Sequence, residues 1–204
     1  MKMIYSILGL ILLAGLTFYL TSCSNKSDAK QTSQQTQDTT KGQKVDPNNN
    51  PYLDLRNMAL NATPEQIAIE LPKDKTKIYG VVMDWDLGEG TATLVAFMTG
   101  DASLYLSSGG GVIGGIGHEN VNIAVKNFIS NSETHINKTT KTETTPLPEK
   151  NEVKFYFLTN NGKLVGQENM ANFENNTSEW LTLFEEGNNL ITEIRKSTKD
   201  KNWE

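Results

Sequence analysis

Three side chains with chemistry to offer stand around one run of glycines: Ser107 and Ser108 precede "GGGVIGGIG", and His118 follows it. The run contains a GxGxxG spacing at Gly109, Gly111 and Gly114, and six of the chain's 16 glycines lie between Ser107 and Asn120. Glycines at such spacing let a backbone approach a phosphate closely, so the first chemistry to test is nucleotide binding.

A dinucleotide fingerprint needs a parallel βαβ unit and an acidic ribose ligand about 20 residues further on. Here the preceding residues read as the third strand of an antiparallel meander, and the acidic position falls in "SETHINKTT", a helix end followed by a loop. The glycines are not followed by GK[ST], so the P-loop pattern fails as well. Gly109, Gly110, Gly111, Gly114 and His118 are therefore expected to form a corner where a strand turns sharply into a helix. Positive φ and close backbone approach account for its glycines. What chemistry the corner retains is a small anion or ligand held by the free N–H groups of the helix start. A Ser/His hydrolytic arrangement of Ser107, Ser108 and His118 is weaker, because no third group to orient the histidine is identifiable.

The second histidine, His135, lies 17 residues after His118, which is about 25 Å along a continuous helix, so the two cannot share a metal. Beside a helix C-terminus, a charged His135 would suit the dipole. Asp84, Asp86 and Glu89 cluster near a turn, but Gly88 occupies the fifth position that a calcium loop would fill with a ligand. They read as turn acids. GxSxG, HExxH and paired cysteines are all missing from the sequence. Neither a metal nor a cofactor is expected, and no catalytic residue can be named.

The elements that must position these residues follow from apolar periodicity. "PYLDLRNMAL" and "TPEQIAI" each place Pro at a first helical position, and Thr63 with Gln66 forms a capping box, so two short helices are expected first. "KIYGVVMDW", "TATLVAFM" and "ASLYLSS" are rich in β-branched and aromatic residues and are separated by short turns, which predicts a three-stranded meander. In the first of these, strict alternation puts Tyr79, Val81, Met83 and Trp85 on one face, and Ile78, Gly80 and Val82 on the other.

Val121, Ala124, Val125, Phe128 and Ile129 form the apolar stripe of a helix. "NKTTKTETTPLPEK" reads as a polar loop. "EVKFYFLTNNGKLVGQ" predicts a second hairpin with Asn161 and Gly162 in a type I′ turn. Trp180, Leu183, Phe184, Gly187, Leu190, Ile191 and Ile194 then recur at spacings of three and four, as in an amphipathic helix. A stop at Gly187 followed by a strand is the alternative.

The expected fold is α+β, in the order ααβββαββα, with a five-stranded antiparallel sheet and the two long helices on one face. This order is similar to that of roadblock, longin and profilin-like domains. Large side chains fall on both sheet faces. Either the short N-terminal helices cover the second face, or it is left to a partner protein or a second copy.

The N-terminal residues have a different composition. Lys2 precedes the apolar run "MIYSILGLILLAGLTFYL", which ends at Leu20–Cys23, "LTSC". The run suits an export signal better than a permanent span. "LTSC" resembles the lipobox of bacterial lipoprotein precursors. That resemblance implies removal of residues 1–22 and acylation of Cys23, for instance with palmitate. It also implies a membrane-bound protein that does not span the bilayer. Ser24, in place of the aspartate that retains many such proteins at the inner membrane, favours the outer membrane in a cell that has two. Cys23 is the single cysteine, so no disulfide can form within the chain.

Residues 24–50 hold only Ala29 and Val45 as apolar side chains. They read as a disordered tether, with an end-to-end distance of roughly 26–31 Å. Residues 51–204 fit one domain. The mildly acidic charge of residues 51–204 argues against nucleic acid as a partner, and the whole-chain net charge of −5 is ordinary for solubility. "YLDLRNMAL", "YGVVMDW", "GTATLVAF" and "GDASLYLSSGGG" also resemble a recurring, uncharacterised bacterial protein family, which supports one domain and implies no activity. The resulting expectation is a lipid-anchored, non-catalytic binding or scaffold domain at the cell envelope, facing the periplasm or the cell surface. An immunity-type lipoprotein that neutralises a toxin, and a small-ligand or hydrolytic enzyme using the glycine corner, are the alternatives.

Overall fold

The computed structural model describes residues 51–199; the expected leader, Cys23 and the tether up to residue 50 lie outside the described residues. Helix α1 (Pro51–Leu60) buries Tyr52, Arg56, Ala59 and Leu60 along one stripe. The second expected helix is instead a pair of overlapping turns. Its capping box forms, with Thr63 N–H donating to Gln66 Oε1 at 2.9 Å and Gln66 N–H donating to Thr63 Oγ1 at 3.4 Å. Ala68, however, takes a left-handed φ of 56°, which ends the helical path after one turn.

The sheet is wholly antiparallel and has seven strands rather than five, in the order β4 (Gly111–Val112), β3 (Ala102–Leu106), β2 (Thr91–Phe97), β1 (Ile78–Asp86), β6 (Glu152–Thr159), β7 (Gly162–Asn169) and β5 (Thr140–Lys141). β1, β2 and β3 form the expected meander. β6 and β7 form the expected hairpin beside β1. The two additional strands, β4 and β5, are two-residue edge strands. Two residues are too few for alternation to register in a sequence.

Two local details differ from strict expectation. A register shift between Ile78 and Gly80 leaves Tyr79 as the extra residue of a bulge. The bulge reverses the parity, so that Ile78 joins Val81 and Met83 in one cluster. In the β6–β7 hairpin, Thr159 pairs with Gly162 and, of the turn residues, only Gly162 has positive φ, at 101°. A type I′ turn needs positive φ at both central residues; one left-handed glycine after the turn belongs to the bulged hairpin family.

Helix α2 (Glu119–Glu133) buries all five residues of its predicted stripe, and helix α4 (Leu181–Lys199) runs unbroken through Gly187. Both pack on the same sheet face, over Val81, Met83, Leu94, Leu104, Phe155 and Phe157. Each large side chain buried there contributes about 1.5–3 kcal/mol, which makes this the principal core. Gly187 has a packing reason: a Cβ there would lie 2.9 Å from both Sδ and Cε of Met83. A short helix, α3 (Met170–Glu174), precedes α4 and is capped by Asn169, whose Oδ1 accepts from Ala171 N–H at 3.0 Å.

The opposite face is covered by the chain itself. Beneath α1, Tyr52, Ala59 and Leu60 pack with Val82, Val95, Tyr105 and Tyr156 in a second, smaller cluster. The segment expected to be a free polar loop supplies more cover. After pairing as β5 along the edge of β7, it passes over this face, where Pro146 O accepts from Tyr156 O–H at 2.5 Å and Leu147 O accepts from Lys154 Nζ at 3.3 Å.

Candidate functional site

The corner between β3 and α2 is built mainly from backbone. Gly109, Gly110 and Gly114 take φ of 102°, 84° and 80° with nothing within 4 Å of where a Cβ would stand. Gly111, in contrast, is confined, because a Cβ there would run into the carbonyl oxygen of Leu104 across the β3–β4 pair. A single 3₁₀ turn at Gly115–Gly117 then delivers the chain to His118, the N-cap residue of α2, whose side chain makes no capping hydrogen bond.

His118 does not meet the serines. Ser107 Oγ accepts from Thr91 N–H at 2.8 Å, on the β2 side of the corner. His118 instead lines a polar groove of ≈ 350 Å³ with Glu119, Asn120, Glu193, Lys196 and Ser197, between the start of α2 and the last turns of α4. Ser107 and Ser108 are not among the residues of that groove. Its one lysine, Lys196, is paired with Glu193 at 2.7 Å. Glu119 occupies the first turn of α2, where its charge already complements the helix dipole. This disposition of charge weighs against an anion at the helix start.

His135 is a core residue and not a solvated end-cap. It is 3% exposed and stacks on Trp180 at 5.2 Å between centroids. Its Nδ1 lies 3.0 Å from Thr134 Oγ1 and 3.1 Å from Asn131 O, and its Nε2 lies 3.0 Å from Glu179 O. The ring ties the end of α2 to the start of α4.

The acidic cluster at the first hairpin disperses. Asp86 accepts from Asn151 N–H at 2.8 Å. Asp84 points to the α1 face and is fully buried, with Arg56 Nε and Nη2 donating to its Oδ2 at 3.0 and 2.6 Å and Thr93 Oγ1 donating to Oδ1 at 2.6 Å. Tyr52 O–H and Thr93 Oγ1 are 2.9 Å apart, and the Arg56 guanidinium lies 5.7 Å above the Tyr156 ring. Asp84, expected as a turn acid, is thus half of a buried ion pair with Arg56. Among the described residues, no group of three His, Cys, Asp or Glu side chains is placed to hold a metal ion.

This polar cluster is the feature that sequence reasoning missed. Tyr105, Thr93, Asp84, Lys154 and Gln167 stand side by side across five strands, on the face under α1. Burial works against the charge on Arg56, but the hydrogen bonds and charge of Asp84 outweigh it and raise the guanidinium above its ordinary value. Burial, together with the nearby Asp84 charge, pushes the Tyr156 phenol up to about 12. Two signals could have found the cluster. Arg56 stands four residues after Tyr52 on the stripe of α1, and Asp84 interrupts an otherwise apolar strand.

Comparison of the chain with protein-family models, with curated proteins and with solved structures returns no match.

Proposed function

We propose that this chain is a lipid-anchored envelope protein, acylated on Cys23, whose globular domain is a non-catalytic binding or scaffold module for a protein partner. The anchor rests on the order of Lys2, the apolar run and Leu20–Cys23. The observation that carries the binding role is the seam between α2 and α4. There Ile123 is 50% exposed beside Asn120, Asn189, Glu193 and Lys196, and Ile113 is 66% exposed on the glycine corner that leads into α2. Apolar side chains set among polar ones are the composition of a protein contact surface. The groups that hydrolysis would require are engaged elsewhere: Ser107 serves Thr91, and His118 faces α4. A roadblock, longin or profilin-like fold is proposed on the expected element order alone, a likeness that carries no activity of its own.

The reading is tested in two steps. Palmitate labelling of the chain should be lost in Cys23→Ala; labelling that persists in this variant overturns the anchor. Crosslinked capture from membranes should then recover one protein in stoichiometric amount, and Ile123→Asp should abolish its recovery. Recovery that is indifferent to both Ile123→Asp and Ile113→Asp would remove the seam as the binding surface.

A further inference from the structure

We propose that α1 is a detachable cover, a helix that lifts from the sheet as a local unit while the side carrying α2 and α4 stays folded. The residues beneath it, Val82, Val95, Tyr105 and Tyr156, belong to a cluster separate from the principal core. To that cluster α1 contributes Tyr52, Ala59 and Leu60, with Leu55 at the margin. The whole apolar hold of the helix is therefore a few side chains.

The connection permits such a motion. Between α1 and β1, residues 61–77 contain turns but no helix or strand, so α1 can leave without unzipping any ladder. The capping box of Thr63 and Gln66 is internal to this segment and lies beyond Ala62, so it need not break when α1 lifts. Near β1, Tyr79 O–H holds Ala62 O at 2.8 Å and marks where the lifting part would begin.

The centre of the α1 contact is an ion pair, and this decides how the contact opens. Arg56 and Asp84 are 3% and 0% exposed when α1 is seated. Burying both charges costs hydration, and their mutual attraction does little more than offset that cost. When α1 lifts, water returns to both groups and the cost is recovered. An apolar pair of equal volume recovers nothing on opening and would hold the helix down more firmly. The same pair penalises wrong seating, because an α1 displaced along the sheet leaves Asp84 buried without its countercharge. The contact is thus easy to open and specific when closed. Opening uncovers a face bearing two tyrosines, two valines and a carboxylate.

Hydrogen exchange of the full chain, solubilised in mild detergent and read by mass spectrometry, tests the proposal. Peptides from residues 51–60 should exchange at least about a hundredfold faster than those from 153–158 and 121–133, as a local opening requires. Combining Arg56→Met with Asp84→Leu should slow exchange in 51–60 by about tenfold and leave the other two regions unchanged. Leu60→Ala, a milder change that keeps the ion pair, should speed exchange in 51–60 alone. Exchange of 51–60 in step with 153–158 in the unmodified chain overturns the detachable cover, as does a Leu60→Ala effect spread equally over all three regions. A double variant that fails to slow exchange in 51–60 overturns the role assigned to the ion pair.

Discussion

Trp180 lies against the bare backbone of Gly166 in β7, in the space that a side chain at residue 166 would need. The indole is fixed there from two other sides, stacked on Phe155 at 5.3 Å and on His135 at 5.2 Å between centroids. An aromatic group held this way cannot withdraw. Gly166→Ala is expected to destabilise the domain by about 1–3 kcal/mol or more, as overpacking of a rigid core does. Gly187→Ala provides the contrast. Its added methyl meets the flexible end of Met83, while the helix gains up to about 1 kcal/mol of intrinsic propensity. The two effects oppose, and the net change should stay within about 1 kcal/mol. Urea denaturation of both variants checks the ordering.

Alkaline pH should unfold the domain through its buried tyrosines. Tyr52, Tyr79, Tyr105 and Tyr156 are all raised above the ordinary phenol value, chiefly by burial, and Tyr156 is raised from 10.0 to about 12. The folded state keeps the Tyr156 proton in a range where the unfolded chain has lost it. The stabilisation is therefore complete below pH ~10 and falls away as pH rises toward ~12, by up to about 2–3 kcal/mol for this one group. Tyr156→Phe should flatten the alkaline limb of stability against pH, while tyrosinate absorbance follows unfolding in the unmodified chain.

At acid pH the sensitive corner is Glu168. Burial works against its charge, but the Asn172 side chain, Asn169 N–H and Ser178 Oγ all donate to the carboxylate, at 2.7, 2.8 and 3.0 Å, and hold it below the usual range. The stabilisation it provides is present above the ordinary carboxylate range and is lost as pH falls through the lowered value. Glu168→Gln should weaken the acid dependence and loosen α3, visible as faster amide exchange at Ala171 to Asn175.

The glycine corner should respond position by position. Gly110→Ala and Gly114→Ala introduce a Cβ into open space but at positive φ, a strain of about 1–2 kcal/mol each. Asn should be better tolerated than Ala at both. Gly111→Ala meets the Leu104 carbonyl and is expected to detach β4 from β3. Loss of amide protection at Val112 would report it.

The two histidines should separate cleanly. His118→Ala leaves the fold within about 0.5 kcal/mol, as substitutions away from the core usually do. His135→Ala removes a buried ring stacked on Trp180 and its contact with Glu179 O, although that carbonyl still accepts from Lys138 Nζ. A loss of about 2–4 kcal/mol follows, chiefly from the cavity left beside Trp180. Equal thermal midpoints for the two variants would contradict this placement.

What the sequence determined by itself is whatever depends on neighbours a few residues apart. The stripes of α2 and α4 are recorded as a period of 3.6, because each helix shows one face to the core. The long strands are recorded as runs rich in β-branched and aromatic residues bounded by turn signals, because the central strands are buried on both faces. The capping box at Thr63 was legible too, although its helix was not, since the left-handed Ala68 is invisible to local pattern. The need for positive φ between Gly109 and Gly114 was legible because glycine adopts it without cost, but the β3–β4 hairpin that Gly109 and Gly110 turn, ahead of α2, was not.

The tertiary structure alone decided what those elements meet. Whether Asp84 was a turn acid or half of a buried pair depended on Arg56, 28 residues away. Whether His135 was solvated depended on Trp180 and Glu179, which follow it by more than 40 residues. The parity of Ile78 hung on a bulge set by the register with β6, and the fate of the second sheet face on α1 and the 142–150 segment folding back across it. Burial and charge pairing are properties of contacts that close long loops of chain. Their energies exist only once the chain has folded, so local periodicity carries no record of them.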